Sequence, residues 1–171
     1  MSARDEPSDV RAEPAALFAA YLRFYRETAI EKVGALAEAD RQESRLPSGW
    51  TPLELLRHLA FMERRWMVWG FLGEDVDEPW GDHTGDPADD RWFVPAGTGL
   101  DDLGAMLRAT GRRVDAILAE HALDDVAPPG PRFEGEPASL AWICFHVLQE
   151  YARHVGHLDI AVELAGGPTG E

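Results

Sequence analysis

The sequence predicts an all-α fold in which four long helices form a bundle joined by long loops. Apolar residues recur at helical spacing in four separate segments, and residues typical of helix ends flank several of them. Strand-like alternation followed by hairpin turns occurs nowhere in the sequence. The 171 residues, 45% of them hydrophobic, suffice for the core of one domain. We expect this domain to span residues 13–171, after a flexible N-terminal segment of residues 1–12.

The first two helices have recognisable start signals. The first is predicted from about Glu13 to Ala39, with a proline in its first turn, where a missing N–H is tolerated. The second begins after Thr51, which with Glu54 forms the pattern of a capping box, and is predicted to run to about Phe71. The polar, glycine-containing stretch between them predicts a turn.

The other two helices follow long connections. The third is predicted from about Gly99 to His121, and the fourth from about Ala138 to Ala165, where two glycines and a proline stop it. Between the second and third helices, residues 73–97 are rich in glycine, proline and aspartate but also carry three aromatic residues. Irregular loops of this length are often functional lids, although the aromatic residues of an acidic linker would also serve simply to cover the bundle. The three aromatic residues are Trp80, Trp92 and Phe93.

Charge and cysteine content exclude several classes of partner. The net charge is -15, from 31 acidic and 16 basic residues, and this charge repels a phosphate backbone, so we expect no nucleic-acid partner. The only cysteine, Cys144, lies in an apolar segment and is interpreted as core packing, which leaves no disulfide framework. No apolar run approaches the ~18 residues that cross a bilayer. We therefore expect a cytoplasmic protein without a signal peptide or membrane partner.

Four candidate metal ligands share one face of the fourth helix. At ~100° per residue, His146, His157, Glu150 and His154 fall at about 0°, 20°, 40° and 80° around the helix. Glu150 and His154 are four residues apart, so their side chains lie on adjacent turns and suit chelation of one ion. The alternative is a polar network in which each side chain finds an ordinary hydrogen-bond partner.

A third ligand is predicted from the second helix. His58 lies between Leu55 and Met62 on the apolar side of that helix, where an unpaired imidazole would be poorly accommodated. Three protein ligands with an open fourth position are typical of a catalytic metal site. The sequence contains no HExxH motif, no cysteine cluster and no pair of Glu-x-x-His motifs, so the prediction is a mononuclear site.

Two segments of the chain resemble the DinB-like superfamily, specifically its actinobacterial branch related to mycothiol-dependent enzymes. They are PSGWTPLELLRHLAFMERRW and HVLQEYARHVGHLDIAVEL, and the resemblance extends over nearly the whole chain. The usual metal triad of that superfamily corresponds here to His58, Glu150 and His154. A glutamate instead of the commoner histidine at position 150 resembles mycothiol-dependent maleylpyruvate isomerase. The resemblance implies a divalent metal, with zinc favoured and nickel or another ion open.

The resemblance further implies a thiol transferase that uses mycothiol, or a similar low-molecular-weight thiol, to attack a small electrophile. A metal would stabilise the thiolate, and His157, His146 or Tyr151 would move protons. His146 and His157 also remain alternative ligands, or supports for the ligands. Trp80, Trp92 and Phe93 are interpreted as covering an apolar electrophile. Arginines 57, 64, 65 and 153 either meet an acidic cosubstrate or, more commonly for arginine, lie on solvated helix faces.

Two other functions are compatible with the same sequence. One is a metal-binding stress or sensor protein without turnover, and the other is a purely structural or interaction bundle, because fold alone does not establish function. The electrophile is not predicted, and the oligomeric state is left open, with a homodimer as one option.

Overall fold

A computed structural model describes residues 5–9, 11–130 and 132–168. Parts of the predicted N-terminal segment, and the last three residues of the predicted domain, lie outside these ranges. The described chain forms helices and loops without a β-strand, as expected from the sequence. Its helices are α1 (Pro14–Ala35), α2 (Glu38–Arg41), α3 (Pro52–Arg64), a π-helix (Arg65–Phe71), α4 (Leu100–Glu120) and α5 (Leu140–Leu164).

The four long helices α1, α3, α4 and α5 enclose a single apolar core. Helix α1 packs against α5, α4 and α3, and α3 also packs against α4 and α5. Leu22, Leu59, Leu107 and Val147, one from each helix, are fully buried. Complete burial of such a side chain stabilises the fold by about 1.5–3 kcal/mol. The apolar faces that the sequence predicts therefore meet in one core, and no helix in the described residues is long and apolar enough to span a membrane.

The predicted end of the first helix is wrong by about four residues. Helix α1 ends at Ala35, the backbone of Leu36 is extended, and the separate short helix α2 follows. The Arg41 guanidinium donates hydrogen bonds to the carbonyl oxygens of Val33, Gly34 and Leu36. The Leu36 N–H also donates to the Val33 carbonyl, at 3.2 Å. Carbonyls at the end of a helix lack the bonds that a continued helix would make, and Arg41 supplies donors to them.

Helix α3 begins as predicted, at a capping box. The Thr51 hydroxyl accepts a hydrogen bond from the Glu54 N–H at 3.2 Å, and the Glu54 carboxylate accepts one from the Thr51 N–H at 2.8 Å. The predicted continuation to Phe71 is also present, but as a π-helix from Arg65. A Cβ added at Gly70 in this segment would lie 3.1 Å from the Arg65 carbonyl oxygen, and 3.4 Å and 3.5 Å from the Phe133 and Arg132 side chains. The loop between α4 and α5 therefore packs against the π-helix at this glycine.

A buried ionic cluster joins α1, α3 and α5. The Arg26 guanidinium donates to the Glu63 carboxylate, with its Nε 3.0 Å from both oxygens, and the Tyr151 hydroxyl donates to the same carboxylate at 2.9 Å. All three side chains are buried. A Cβ added at Gly111 of α4 would lie only 2.8 Å from Arg26 Nε, so the glycine makes room for the arginine. This cluster fixes the relative positions of the helices, because a misplaced partner would leave a buried charge unpaired.

Candidate metal centre

The three predicted metal ligands come together between α3 and α5. Each of His58, Glu150 and His154 has one potential ligand atom within 4.8 Å of those of the other two. The imidazole rings of His58 and His154 lie 5.0 Å apart between centroids, and His154 Nε2 is 3.1 Å from Glu150 Oε2. The spacing of four residues along α5 brings Glu150 and His154 together, and the packing of α3 against α5 adds His58.

A buried aspartate orients His58. Asp82, in the loop between the π-helix and α4, lies with its Oδ2 2.9 Å from His58 Nδ1 and has no solvent exposure. The same carboxylate forms an ion pair with the buried Arg65 guanidinium. A carboxylate facing Nδ1 places the imidazole proton on that atom and leaves Nε2 as the atom available to a metal, an arrangement common around histidine ligands.

A second possible ligand group overlaps the first. His58, Asp82 and His83 also have potential ligand atoms within 4.8 Å of one another. In this second group, the Asp82 carboxylate already neutralises the buried Arg65 guanidinium, with which it forms an ion pair. We therefore interpret Asp82 as a support for His58, and the group that contains Glu150 as the candidate metal site.

Local electrostatics favour the protonation states that a metal requires. Burial lowers the pKa of His58, His146 and His157, which favours neutral imidazoles. The hydrogen bond from His154 lowers the pKa of Glu150, which favours the carboxylate. Burial of Asp82 opposes its ionisation, but hydrogen bonds from His58 and Arg65 outweigh this and lower its pKa. Neutral imidazoles and carboxylates are the forms that coordinate divalent ions.

The donor set and one unsatisfied atom fit a divalent cation. Two imidazoles and a carboxylate suit zinc, nickel and related ions. His154 Nδ1 is buried and has no hydrogen-bond partner among the described residues. Buried polar atoms rarely remain unpaired, so the imidazole of His154 has unused coordinating capacity in the protein-only arrangement.

The two further histidines of α5 flank this group on opposite sides. His146 Nε2 lies 3.7 Å from Glu150 Oε1, and its ring is stacked on Trp142 and lies 4.1 Å from Trp66. His157 is beside His154, at 5.4 Å between ring centroids. Both are partly exposed, so both can exchange protons with solvent at the edge of the candidate centre.

The three predicted loop aromatics have different surroundings. Trp92 stacks on His58 with ring centroids 4.0 Å apart and is also next to His154, so it forms a wall of the centre. Trp80 is half exposed and lies over the Arg65 guanidinium. Phe93 packs on the guanidinium of Arg57. Of the three, Trp92 alone has a ring contact with His58 or His154 in the described part of the chain, whereas Trp80 has one with His83 of the second group, at 5.9 Å between centroids.

Two sequence interpretations are corrected by the structure. The Tyr151 hydroxyl is fully buried and donates to Glu63 in the ionic cluster, so its proton is engaged there rather than directed at a candidate ligand. Arg57 and Arg65 are buried rather than on solvated helix faces. Arg57 donates to the Phe93 carbonyl at 2.9 Å, and Arg65 holds the aspartate that orients His58. Arg153 is exposed, in agreement with a solvated face.

Asp82 is a residue of the candidate centre that the sequence interpretation missed. It is one of several aspartates in an acidic loop, and no local spacing distinguishes it from its neighbours. Its distinctive feature is complete burial against residues 17 and 24 positions earlier in the chain. Only the folding of the loop onto α3 and the π-helix shows it.

Comparisons with known proteins identify first the fold and then the family. A crystal structure of a DinB-like protein from Bacillus cereus matches with a TM-score of 0.62 and 14% sequence identity, covering 91% of this chain and 95% of that chain. The fold is therefore that of a DinB-like protein. The model of the mycothiol S-transferase family matches residues 17–167, so the chain belongs to that family. None of the curated proteins matches the sequence significantly.

Proposed function

We propose that this protein is a metal-dependent thiol transferase that uses mycothiol or a similar low-molecular-weight thiol to modify a small electrophile. The observation that carries the proposal is the convergence of His58, Glu150 and His154 on one point, in a chain of the mycothiol S-transferase family. The identity of the metal is part of the proposal: zinc is the first candidate, and nickel the alternative. A cytoplasmic location suits a reaction that consumes a reduced thiol.

The residues around the centre have distinct roles in this proposal. When bound, a divalent cation supplies positive charge that lowers the pKa of a cosubstrate thiol. His146 and His157, whose lowered pKa values keep them neutral near pH 7, accept the thiol proton. The sulfur–hydrogen bond of the thiol breaks and a sulfur–carbon bond forms. In a substitution, the bond from that carbon to the displaced group breaks, and its electron pair leaves with the group. In an addition, the electron pair of the bond that opens at that carbon takes up a proton. Asp82 holds His58 in the required tautomer.

The aromatic wall adds binding and water exclusion. Trp92 covers one side of His58, and Trp80 lies further out over Arg65. Flat apolar surfaces of this kind favour an electrophile with an apolar or aromatic part. Exclusion of water from this side also strengthens the electrostatic interactions within the centre.

Elemental analysis followed by a thiol-consumption assay tests the proposal. One equivalent of a divalent metal is expected in the purified protein, and single alanine substitutions of His58, Glu150 or His154 should remove it. His121→Ala is the matched control, because His121 follows α4 and pairs with Asp125 away from the centre. His157→Ala should weaken metal affinity by no more than about 10- to 100-fold.

The assay also separates the proposal from its rivals. The metal-saturated protein should consume mycothiol in the presence of an electrophile, stop on chelation and recover with added metal. Stoichiometric metal without thiol consumption across diverse electrophiles would contradict the transferase and favour a sensor. Absence of metal, with unchanged stability on adding zinc, would favour a structural bundle.

A further inference from the structure

One arginine near the centre forms no ion pair with any carboxylate in the described part of the chain. Arg132, in the loop between α4 and α5, lies with its guanidinium carbon 3.9 Å from the centroid of the Trp66 ring and 5.7 Å from that of Trp80. It is partly buried, and its Nε is buried without a hydrogen-bond partner. Within the described residues, no carboxylate forms an ion pair with it.

This lack of a carboxylate partner distinguishes Arg132 from two of the three arginines that are buried in the described chain; the third, Arg57, donates to the Phe93 carbonyl. Arg26 binds Glu63, and Arg65 binds Asp82. Burial lowers the pKa of Arg132, and the positive charge of Arg65 lowers it further. In a protein with a net charge of -15, a shortage of acidic residues does not explain an unpaired guanidinium. Cation–π contacts engage the face of the guanidinium and do not use its in-plane N–H donors.

Arg132 is connected to the candidate metal centre by a short row of contacts. The Trp66 ring that it covers lies 4.1 Å from the His146 ring, and His146 lies 3.7 Å from the Glu150 carboxylate. The π-helix places Trp66 in this row, and the loop that carries Arg132 packs against Gly70 of the same π-helix. π-Helical segments are frequent at functional sites.

We propose that Arg132 binds a carboxylate of the substrate while the reacting part of that substrate lies at the metal centre. The planar guanidinium fork matches a carboxylate in a bidentate arrangement, and the ring of Trp66 provides an apolar floor between the two positions. The carboxylate belongs to the electrophile or to the thiol, and the experiment below distinguishes these sources. The inference rests on the proposed transferase function for its second arm, but its first arm measures binding alone.

The first arm uses benzoate and benzamide as unreactive probes of equal size. Their binding is followed by tryptophan fluorescence, with and without a chelator, so that binding of the carboxylate to a metal ion is separated from binding to Arg132. Arg132→Gln is expected to weaken benzoate binding about 10- to 100-fold and to leave benzamide unchanged. Arg132→Lys keeps the positive charge but loses the planar guanidinium fork, so its benzoate affinity should lie between those of the parent protein and Arg132→Gln. Arg112→Gln, at an exposed arginine of α4, is the matched control.

The second arm compares matched substrates in turnover. With a neutral thiol, 4-chloro-3-nitrobenzoate is compared with its amide. The thiol sulfur forms a bond to the ring carbon, the carbon–chlorine bond breaks, chloride leaves with its electron pair, and the thiol proton passes to the buffer. With the amide as electrophile, N-acetylcysteine is compared with N-acetylcysteine amide. Arg132→Gln should raise KM for the carboxylate member of one of the two pairs about 10-fold or more, with kcat little changed.

The outcomes separate this inference from the function on which it rests. A charge-dependent KM in the electrophile pair or in the thiol pair supports the inference and identifies the source of the carboxylate. If benzoate and benzamide bind equally to the parent protein and to Arg132→Gln, Arg132 is not a carboxylate site, whatever the turnover. If nothing turns over but benzoate binding depends on Arg132, the anion site stands and the transferase reaction fails. Circular dichroism and metal content confirm that the variants remain folded and loaded.

Discussion

Replacing Asp82 with asparagine tests how the centre is assembled. The carboxylate accepts the His58 Nδ1 proton and ion-pairs with Arg65, both inside the protein. An amide has one acceptor oxygen and one donor nitrogen, so it cannot accept from both partners in the same way. If the amide nitrogen faces His58, the imidazole proton moves to Nε2, which is the atom left for the metal.

Both metal affinity and stability should fall in Asp82→Asn. Loss of a carboxylate that orients a histidine ligand costs about 10- to 100-fold in affinity, equivalent to about 1.4–2.7 kcal/mol. Leaving Arg65, which is only 3% exposed, without its counter-ion costs about 3–5 kcal/mol of unfolding free energy. Because domains of this size are stable by about 5–15 kcal/mol, the variant should remain folded at low temperature.

Zinc affinity is measured by competition with a chromophoric chelator well below the melting temperature, and unfolding free energy by denaturant titration. Asp90→Asn is the matched control, since Asp90 is an exposed carboxylate of the same loop, 3.3 Å from His83 Nδ1. The lowered pKa of Asp82 means that its stabilisation is present above the pKa of an unfolded aspartate, ~3.9, and is lost as the pH falls through the lower folded value. Unchanged zinc affinity in Asp82→Asn would refute the orienting role.

Three further predictions concern the core and the surface. Glu63→Gln should reduce the unfolding free energy by about 3 kcal/mol in denaturant titrations, the lower end of the cost of breaking a buried ion pair, because Asp115, 3.6 Å from the Arg26 guanidinium, remains as a second counter-ion. Tyr151→Phe should cost less, about 1.5 kcal/mol, and equal small losses would contradict the cluster's role. Burial raises the pKa of the Cys144 thiol to about 12, so iodoacetamide should label it at mildly alkaline pH only after unfolding, and stability should fall as the pH rises above that of an unfolded thiol, ~8.5; rapid labelling of the native protein would refute this. Duplex DNA should not bind at physiological salt in a fluorescence anisotropy titration, because the net charge is -15, and sub-micromolar affinity for random DNA would overturn that expectation.

The helices were largely predictable because their signals are local. The capping box of Thr51 and Glu54 marks the start of α3, and Gly166, with a φ of +76°, follows the end of α5 as expected. The end of α1 was not predictable in this way. Apolar spacing continues past Ala35, but Arg41 folds back to bind the last carbonyls of the helix, and the position of such a contact depends on the path of the chain.

The candidate ligand set was also largely predictable. Glu150 and His154 lie on adjacent turns of one helix, and the resemblance to the superfamily added His58. The partner of Tyr151 was not predictable from its place next to Glu150 in the sequence. One residue corresponds to ~100° of rotation around a helix, which turns Tyr151 away from the candidate ligands and into the cluster of Arg26 and Glu63.

The sequence by itself determined the all-α class, four long helices and the pairing of Glu150 with His154, because the helical period fixes which side chains share a face. Only the tertiary structure decided which faces meet and which loop residues enter the core. Asp82 meets His58 across 24 residues, and Arg132 approaches Trp66 from another loop. Such contacts depend on the rotation of each helix against its neighbours and on loop paths, which are set by packing and by the burial of charge rather than by periodicity.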